Sequence, residues 1–189
     1  VGRARQTPPV ILTVGHSTRS LEELIALLEA HGVTLLADIR TVPRSRRNPQ
    51  YDRATMPAAL RPAGIEYVHL PALGGLRHTR KDSPNLGWRN ASFRGYADCM
   101  QTPAFAAAIA DLIDRARAAR LAVMCAEAVP WRCHRSLVAD ALTARGVPVE
   151  HIMSATRRDP HRLTSFARVD GDRVTYPAAP PELPGTGPG

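Results

Sequence analysis

Five short apolar runs punctuate this chain: Val10–Val14, Val33–Ile39, Ile65–Leu70, Leu121–Cys125 and Val147–Ile152. Each is too short for a core helix and is bounded by turn or charged residues, the pattern of a strand buried on both faces. The stretches between them carry helical spacing. Leu21, Leu24, Ile25, Leu27 and Leu28 follow Ser20, with Glu23 completing a capping box and His31-Gly32 closing the helix. A short helix is predicted from about Thr55 to Ala63, stopped by Gly64. Gly95 to Ala119 reads as helix with a break near Thr102-Pro103, where Thr102 caps and Pro103 takes the first helical position. Cys133 to Ala144 is a further helix, ended by Gly146. Buried strands alternating with amphipathic helices demand a mostly parallel sheet covered on both faces. The expected fold is an α/β domain with a mostly parallel five-stranded sheet.

The rest of the chain is organised around that unit. At 189 residues it is one domain's worth of polypeptide. Residues 1–9 form an N-terminal extension and 10–153 the α/β core. Residues 154–176 form a C-terminal hairpin extension, because Phe166–Val169 and Arg173–Tyr176 flank Asp170-Gly171-Asp172. Residues 177–189 are Pro/Gly-rich and expected to be disordered. Val1 to Pro9 lacks the apolar stretch of a signal peptide, and nowhere do about 18 apolar residues run together. A cytoplasmic protein with no membrane partner is expected.

Three cysteines, Cys99, Cys125 and Cys133, in a chain without a secretion signal argue against a disulfide scaffold. Free thiols and metal ligands are the open readings. The net charge is +8, and Lys81 is the only lysine, so the positive charge is almost all arginine. Codon bias explains that as well as an anionic partner does; such a partner would be a phosphorylated small molecule, a nucleotide or nucleic acid.

Ligands of open parallel sheets bind beyond the carboxyl ends of the strands. There the chain places His16 and Ser17, Asp38 and Arg40, His69, Cys125 and Glu127, and His151. The sharpest feature is the segment Cys125 to Arg135, which joins a buried strand to a helix. A thiol facing a helix N-terminus and nearby arginines is stabilised as thiolate, and the same amides cradle an anion. Glu127 opposes this unless it is paired with Arg132 or Arg135 or serves as an acid or base. The structural alternative is that Cys125 is a small buried hydrophobe at a strand end.

Cys125, Glu127, Cys133 and His134 also offer thiolate, carboxylate and imidazole ligands for zinc or iron, though without a paired Cys-x-x-Cys spacing. Arg44, Arg46 and Arg47 form a basic loop expected to overhang the strand ends and touch an anion. In the long loop from Pro71 to Arg94, arginines interleave with Trp88, Phe93 and, just beyond it, Tyr96. That pattern suits single-stranded nucleic acid or a plain surface loop with aromatic anchors.

Thr13-Val14-Gly15-His16-Ser17, Ala37-Asp38-Ile39-Arg40 with Pro43-Arg44-Ser45, Gly87-Trp88-Arg89-Asn90, Phe93-Arg94-Gly95-Tyr96, and Cys125-Ala126-Glu127 through Cys133-His134-Arg135-Ser136 together resemble the bacterial family known as domain of unknown function 488. The resemblance runs from about Ile11 to Tyr176 and implies no particular activity. A partial likeness to rhodanese-type domains rests on Asp38-Ile39-Arg40 and on Leu121–Cys125 followed by Arg135-Ser136. It implies that Cys125 is a nucleophile. The chain departs from that pattern in its longer, glycine-free loop and in Glu127.

Three functions follow as expectations. The first is a thiol-dependent enzyme acting on an anionic small molecule or nucleotide. Cys125 is its nucleophile, Glu127 or His16 its acid or base, and Asp38 orients a basic partner. Ser17, Arg40, Arg44, Arg46, Arg47, Trp131, Cys133, His134 and Arg135 bind the substrate. The second is a zinc or iron protein using Cys125, Glu127, Cys133 or His134. The third is a nucleic-acid-binding module using the arginine loops.

Overall fold

The computed structural model of the chain describes residues 8–179. It is an α/β fold: strands β1 (Ile11–Gly15), β2 (Leu35–Asp38), β3 (Glu66–His69), β4 (Leu121–Cys125) and β5 (Val149–Ile152) pair in parallel in the order β3-β2-β4-β1-β5. The sheet has six strands rather than the five expected. Arg158–Pro160 adds a three-residue strand, β6, antiparallel to β5. It is an edge strand made of charged residues and proline, so it carries no apolar period to betray it. Arg168–Asp170 and Arg173–Thr175, β7 and β8, form the separate hairpin.

Local signals set the helices. The first, α1 (Leu21–Ala30), has the full capping box: the Glu23 N–H donates to Ser20 Oγ at 3.1 Å and the Ser20 N–H to the Glu23 carboxylate at 2.7 Å. The short helix α2 (Met56–Leu60) runs into a turn of 3-10 helix, Arg61–Ala63, that Gly64 ends in the left-handed region. The stretch read as one helix with a break is two: α3 (Ala91–Cys99), capped by Asn90, and α4 (Pro103–Ala118), capped by Thr102 with Pro103 at its first position. The last helix, α5 (Arg135–Ala144), begins two residues later than Cys133, because Pro130–Arg132 forms a 3-10 turn first.

Alternate side chains of each strand feed two cores. Leu12, Val14, Leu36 and Met124 pack beneath α1 and α2 on one face. Ile11, Ala37, Val123 and Cys125 pack beneath α4 and α5 on the other, with Val174 and Tyr176 of the hairpin segment completing that core. The hairpin is thus tied to the domain. Asp140 on α5 accepts from Tyr176 Oη (2.8 Å), Thr164 Oγ1 (2.7 Å) and the Thr164 N–H (3.0 Å).

This arrangement places the site. The helices after β1 and β2 cover one face, while the helix after β4, the strand between them, covers the other. The chain therefore leaves β4 in the opposite direction from both neighbours and opens a crevice at its carboxyl end. Cys125 is the last residue of β4. Among the described residues no helix is long and apolar enough to cross a membrane. Residues 1–7 of the expected N-terminal extension and 180–189 of the expected disordered tail lie outside the described residues.

Candidate functional site

A cleft of about 360 Å³ opens over the end of β4. Cys125, Cys133 and His134 line it, with Arg40, Glu127 and Arg132, and its walls include Val42, Leu76 and Phe93. Both sulfurs lie deep, Cys125 1% and Cys133 4% exposed.

Arg135 enters from the first turn of α5 and is itself 1% exposed. Its Nη1 donates to Cys125 Sγ at 2.9 Å and to the Glu127 carbonyl at 2.6 Å, and its Nη2 donates to the Ala128 carbonyl at 2.9 Å. Its Nε has no hydrogen-bond partner among the described residues. The guanidinium is a permanent cation, and no carboxylate of the described residues forms an ion pair with it. A buried charge requires a counter-charge. The atom in the counterion's place is the sulfur of Cys125.

The sulfur responds accordingly. Burial pushes the Cys125 thiol up, but the hydrogen bond from Cys133 and the charge and hydrogen bond of Arg135 outweigh it, and the thiol is held below its ordinary range. Cys133 goes the other way. Its thiol donates to Cys125 Sγ at 2.6 Å, and that bond, together with burial, holds its proton firmly. Of the two sulfurs, Cys125 is thus the one more readily ionised, and Cys133 the one that keeps its proton.

Gly15 makes this geometry available. A Cβ there would lie 1.8 Å from the Glu127 carbonyl oxygen and 2.6 Å from Arg135 Nη1. No side chain fits between the end of β1 and the loop that wraps the guanidinium. Gly75 does the same for His134, whose ring comes within 2.5 Å of where a Cβ would stand.

His134 hydrogen-bonds through Nε2 to the Ile39 carbonyl at 3.1 Å and turns Nδ1 toward Cys133 Sγ at 3.6 Å. Burial lowers its pKa to about 4, only partly offset by the carbonyl bond. The ring is therefore neutral at pH 7. With Nε2 protonated against a carbonyl, Nδ1 presents a lone pair to the Cys133 thiol.

Asp38 and Arg40 form a buried pair beside the cleft. Arg40 donates to the carboxylate through Nε (2.9 Å), Nη2 (2.6 Å) and its backbone N–H (3.0 Å), and Tyr67 Oη adds a fourth bond at 2.7 Å. Arg40 Nη2 also reaches the Tyr51 carbonyl, and its Nη1 stands 3.4 Å from His16 Nε2. His16 stacks on Tyr51 at 4.1 Å, and burial lowers its pKa. It meets Cys125 through the backbone, donating its N–H to the Cys125 carbonyl at 3.0 Å, and its ring is not in the cleft wall. Ser17 follows with φ of 52°, in the left-handed region, its N–H held by the Ala126 carbonyl at 2.9 Å.

Several expected residues stand elsewhere. Arg44 lines a separate shallow hollow with Pro43, Asp52 and Arg53, and Arg46 and Arg47 are exposed outside the cleft. Trp131 is 66% exposed and lines a neighbouring hollow with His151 and His161. The helix N-terminus does not serve Cys125, as the sequence led us to expect. The Arg135 N–H points to Cys133 Sγ at 3.5 Å, because the 3-10 turn brings Cys133 to the head of the helix. Of the residues considered as zinc or iron ligands, Cys125, Cys133 and His134 stand together, but among the described residues no three His, Cys, Asp or Glu side chains form a group that could hold a metal ion. Glu127 is exposed, and Arg135 takes the position beside the Cys125 sulfur. The aromatics of the long loop are packing groups rather than stacking platforms. Tyr96 is fully buried, and Trp88 packs against Phe93, Phe166 and Tyr176. Arg77 and Arg94 close that loop on its own carbonyls.

The residues that sequence reasoning missed are Gly15, Gly75, Tyr51 and Tyr67. A glycine at a strand end signals a close backbone approach, which flags Gly15 but not what approaches it.

The family model described as "Domain of unknown function DUF488" matches residues 20–142, well over half of the chain. The matched stretch contains Asp38, Arg40, Cys125, Cys133 and Arg135. No curated protein and no solved structure matches the chain.

Proposed function

This chain belongs to the family described as domain of unknown function DUF488, and on that footing, which names no activity, we propose a thiol-dependent enzyme with Cys125 as nucleophile. The observation that carries the proposal is the fully buried Arg135 guanidinium bonded to the Cys125 sulfur, with no carboxylate among the described residues to balance it. A permanent cation at 2.9 Å stabilises the thiolate, the form that attacks. The substrate is a small molecule with an anionic group. Arg132 stands at the cleft as an exposed cation, and Val42, Leu76 and Phe93 supply apolar walls.

Each remaining residue has a part. Cys133 donates a hydrogen bond that spreads the thiolate charge. Arg135 holds the nucleophile through two contacts to loop carbonyls as well as to the sulfur. Asp38 keeps Arg40 extended beside the cleft. Glu127, exposed at the mouth, is the carboxylate placed to exchange protons with solvent.

Competitive alkylation tests this reading. Iodoacetate and iodoacetamide differ in charge and little in size. At neutral pH, Cys125 is expected to be modified before Cys99, and the anionic reagent to gain on the neutral one relative to a free thiol. Modification of Cys99 first, with Cys125 inert to both reagents, contradicts the proposal.

A further inference from the structure

We infer that Cys125 and Cys133 form an oxidation site, in which Cys133 resolves a sulfenic acid formed at Cys125 by a small hydroperoxide and closes a reversible disulfide. The inference rests on the proposed thiolate and adds a chemical class of reactant and a way to shut the site.

Proximity comes first. The sulfurs stand 2.6 Å apart, and a disulfide bond is ~2.05 Å, so bond formation requires a shift of only about half an ångström. The two cysteines flank a turn, Pro130–Arg132, that already brings them together. Asymmetry is second. One sulfur is paired with a cation and the other keeps its proton, the division of labour between an attacking and a resolving thiol. Access is third. With exposures of 1% and 4%, the sulfurs admit small reagents far more readily than bulky ones, and a hydroperoxide is among the smallest oxidants.

The steps balance. The Cys125 thiolate attacks one oxygen of the hydroperoxide; an S–O bond forms and the O–O bond breaks. The departing oxide takes a proton from water and leaves as alcohol or water. Cys125 is oxidised by two electrons to the sulfenic acid, and the peroxide is reduced. The Cys133 sulfur then attacks Cys125 Sγ: the S–S bond forms, the S–OH bond breaks, and the hydroxyl leaves with the Cys133 proton, as water. A thiol reductant returns both sulfurs to their starting state. While the disulfide is closed, Cys125 has no thiolate and the proposed enzyme is off.

Arg132 lies between the two cysteines and, with Arg120 and Arg135, sets trypsin sites around them. The wild-type chain is treated with hydrogen peroxide, its remaining thiols are alkylated, and it is digested. The expected product is the peptide Leu121–Arg132 linked to Cys133–Arg135, separated again by reductant. In Cys133→Ser, with Cys133→Ala as a second form, the expected product is a Cys125 sulfenic acid that dimedone captures. A dimedone adduct at Cys125 in wild type, with Cys133 alkylated, overturns the inference and leaves the nucleophile standing. Oxidation of Cys99 with Cys125 unreacted in every form overturns both the inference and the proposed function.

Discussion

Arg135 and Cys125 are ten residues apart in sequence and 2.9 Å apart in space, a guanidinium donating to a buried sulfur at the carboxyl end of the central strand. The contact works in both directions. The cation lowers the cost of ionising a buried thiol, and a thiolate would compensate a guanidinium that has no acidic partner among the described residues. A guanidinium does not belong in the interior alone.

Space at Gly15 is the first requirement of that pair. Gly15→Ala drives a methyl group to 1.8 Å from the Glu127 carbonyl oxygen, against backbone that cannot step aside as a flexible side chain would. Overpacking of this kind costs about 1–3 kcal/mol or more. Gly64→Ala is the control: it meets no atom within 4 Å and carries only the strain of φ near +68°, worth about 1 kcal/mol. Urea unfolding is expected to place Gly15→Ala well below Gly64→Ala, with faster loss of the Arg135–Cys125 contact; equal midpoints contradict the packing argument.

Asp38 tests the neighbouring pair. Asp38→Asn leaves the buried Arg40 guanidinium without its charge partner, and breaking a buried pair from one side costs about 3–5 kcal/mol. Tyr67→Phe removes a single hydrogen bond to the same carboxylate and is expected to cost about 1–2 kcal/mol. The difference is read from denaturant midpoints. A smaller effect for Asp38→Asn than for Tyr67→Phe sinks this account of the pair.

Acid is expected to weaken the fold before the carboxylates titrate. Burial holds His134 and His151 at about 4, His151 also feeling His161 and Arg135, against an ordinary value of ~6.5. Between those values the unfolded chain binds more protons than the folded one, so stability is full above pH ~6.5 and falls as pH falls toward ~4. Each histidine contributes up to roughly 3 kcal/mol across the whole window. Unfolding free energy is expected to decrease from pH 7 to pH 5.5, and His134→Gln to flatten that slope. A pH-independent stability over this interval contradicts the burial argument.

Asp140 fastens the C-terminal segment to α5 through His161, Thr164 and Tyr176. Asp140→Ala leaves several buried polar atoms short of a partner and is expected to raise hydrogen exchange at Thr164 and through residues 168–176. Exchange confined to α5 is the result that speaks against this role.

The strand and helix alternation was legible because each parallel strand is apolar on both faces, and that property survives in a bare sequence. The capping box at Ser20 and the break at Thr102-Pro103 were legible because their chemistry is local. Strand β6 was not, since three edge residues need no apolar pattern. Cys125 and Arg135 stood out by their place between β4 and α5, but which sulfur meets the helix amides depended on the 3-10 turn at Pro130–Arg132, a matter of a few backbone angles. Glu127 drew attention as a side chain, whereas its carbonyl is the group that touches Arg135. The Arg44–Arg47 loop was expected over the strand ends because it follows β2, yet the place where a loop starts does not fix where its side chains go, and Arg44, Arg46 and Arg47 stand outside the cleft wall.

The alkylation rate of Cys125 as a function of pH, in wild type, Arg135→Lys and Arg135→Met, is the decisive measurement. Wild type is expected to show an inflection below the ordinary thiol value of ~8.5, with Arg135→Lys rising part of the way and Arg135→Met passing above it. An inflection at or above the ordinary value in wild type, unmoved by either substitution, would mean that the guanidinium does not hold a thiolate.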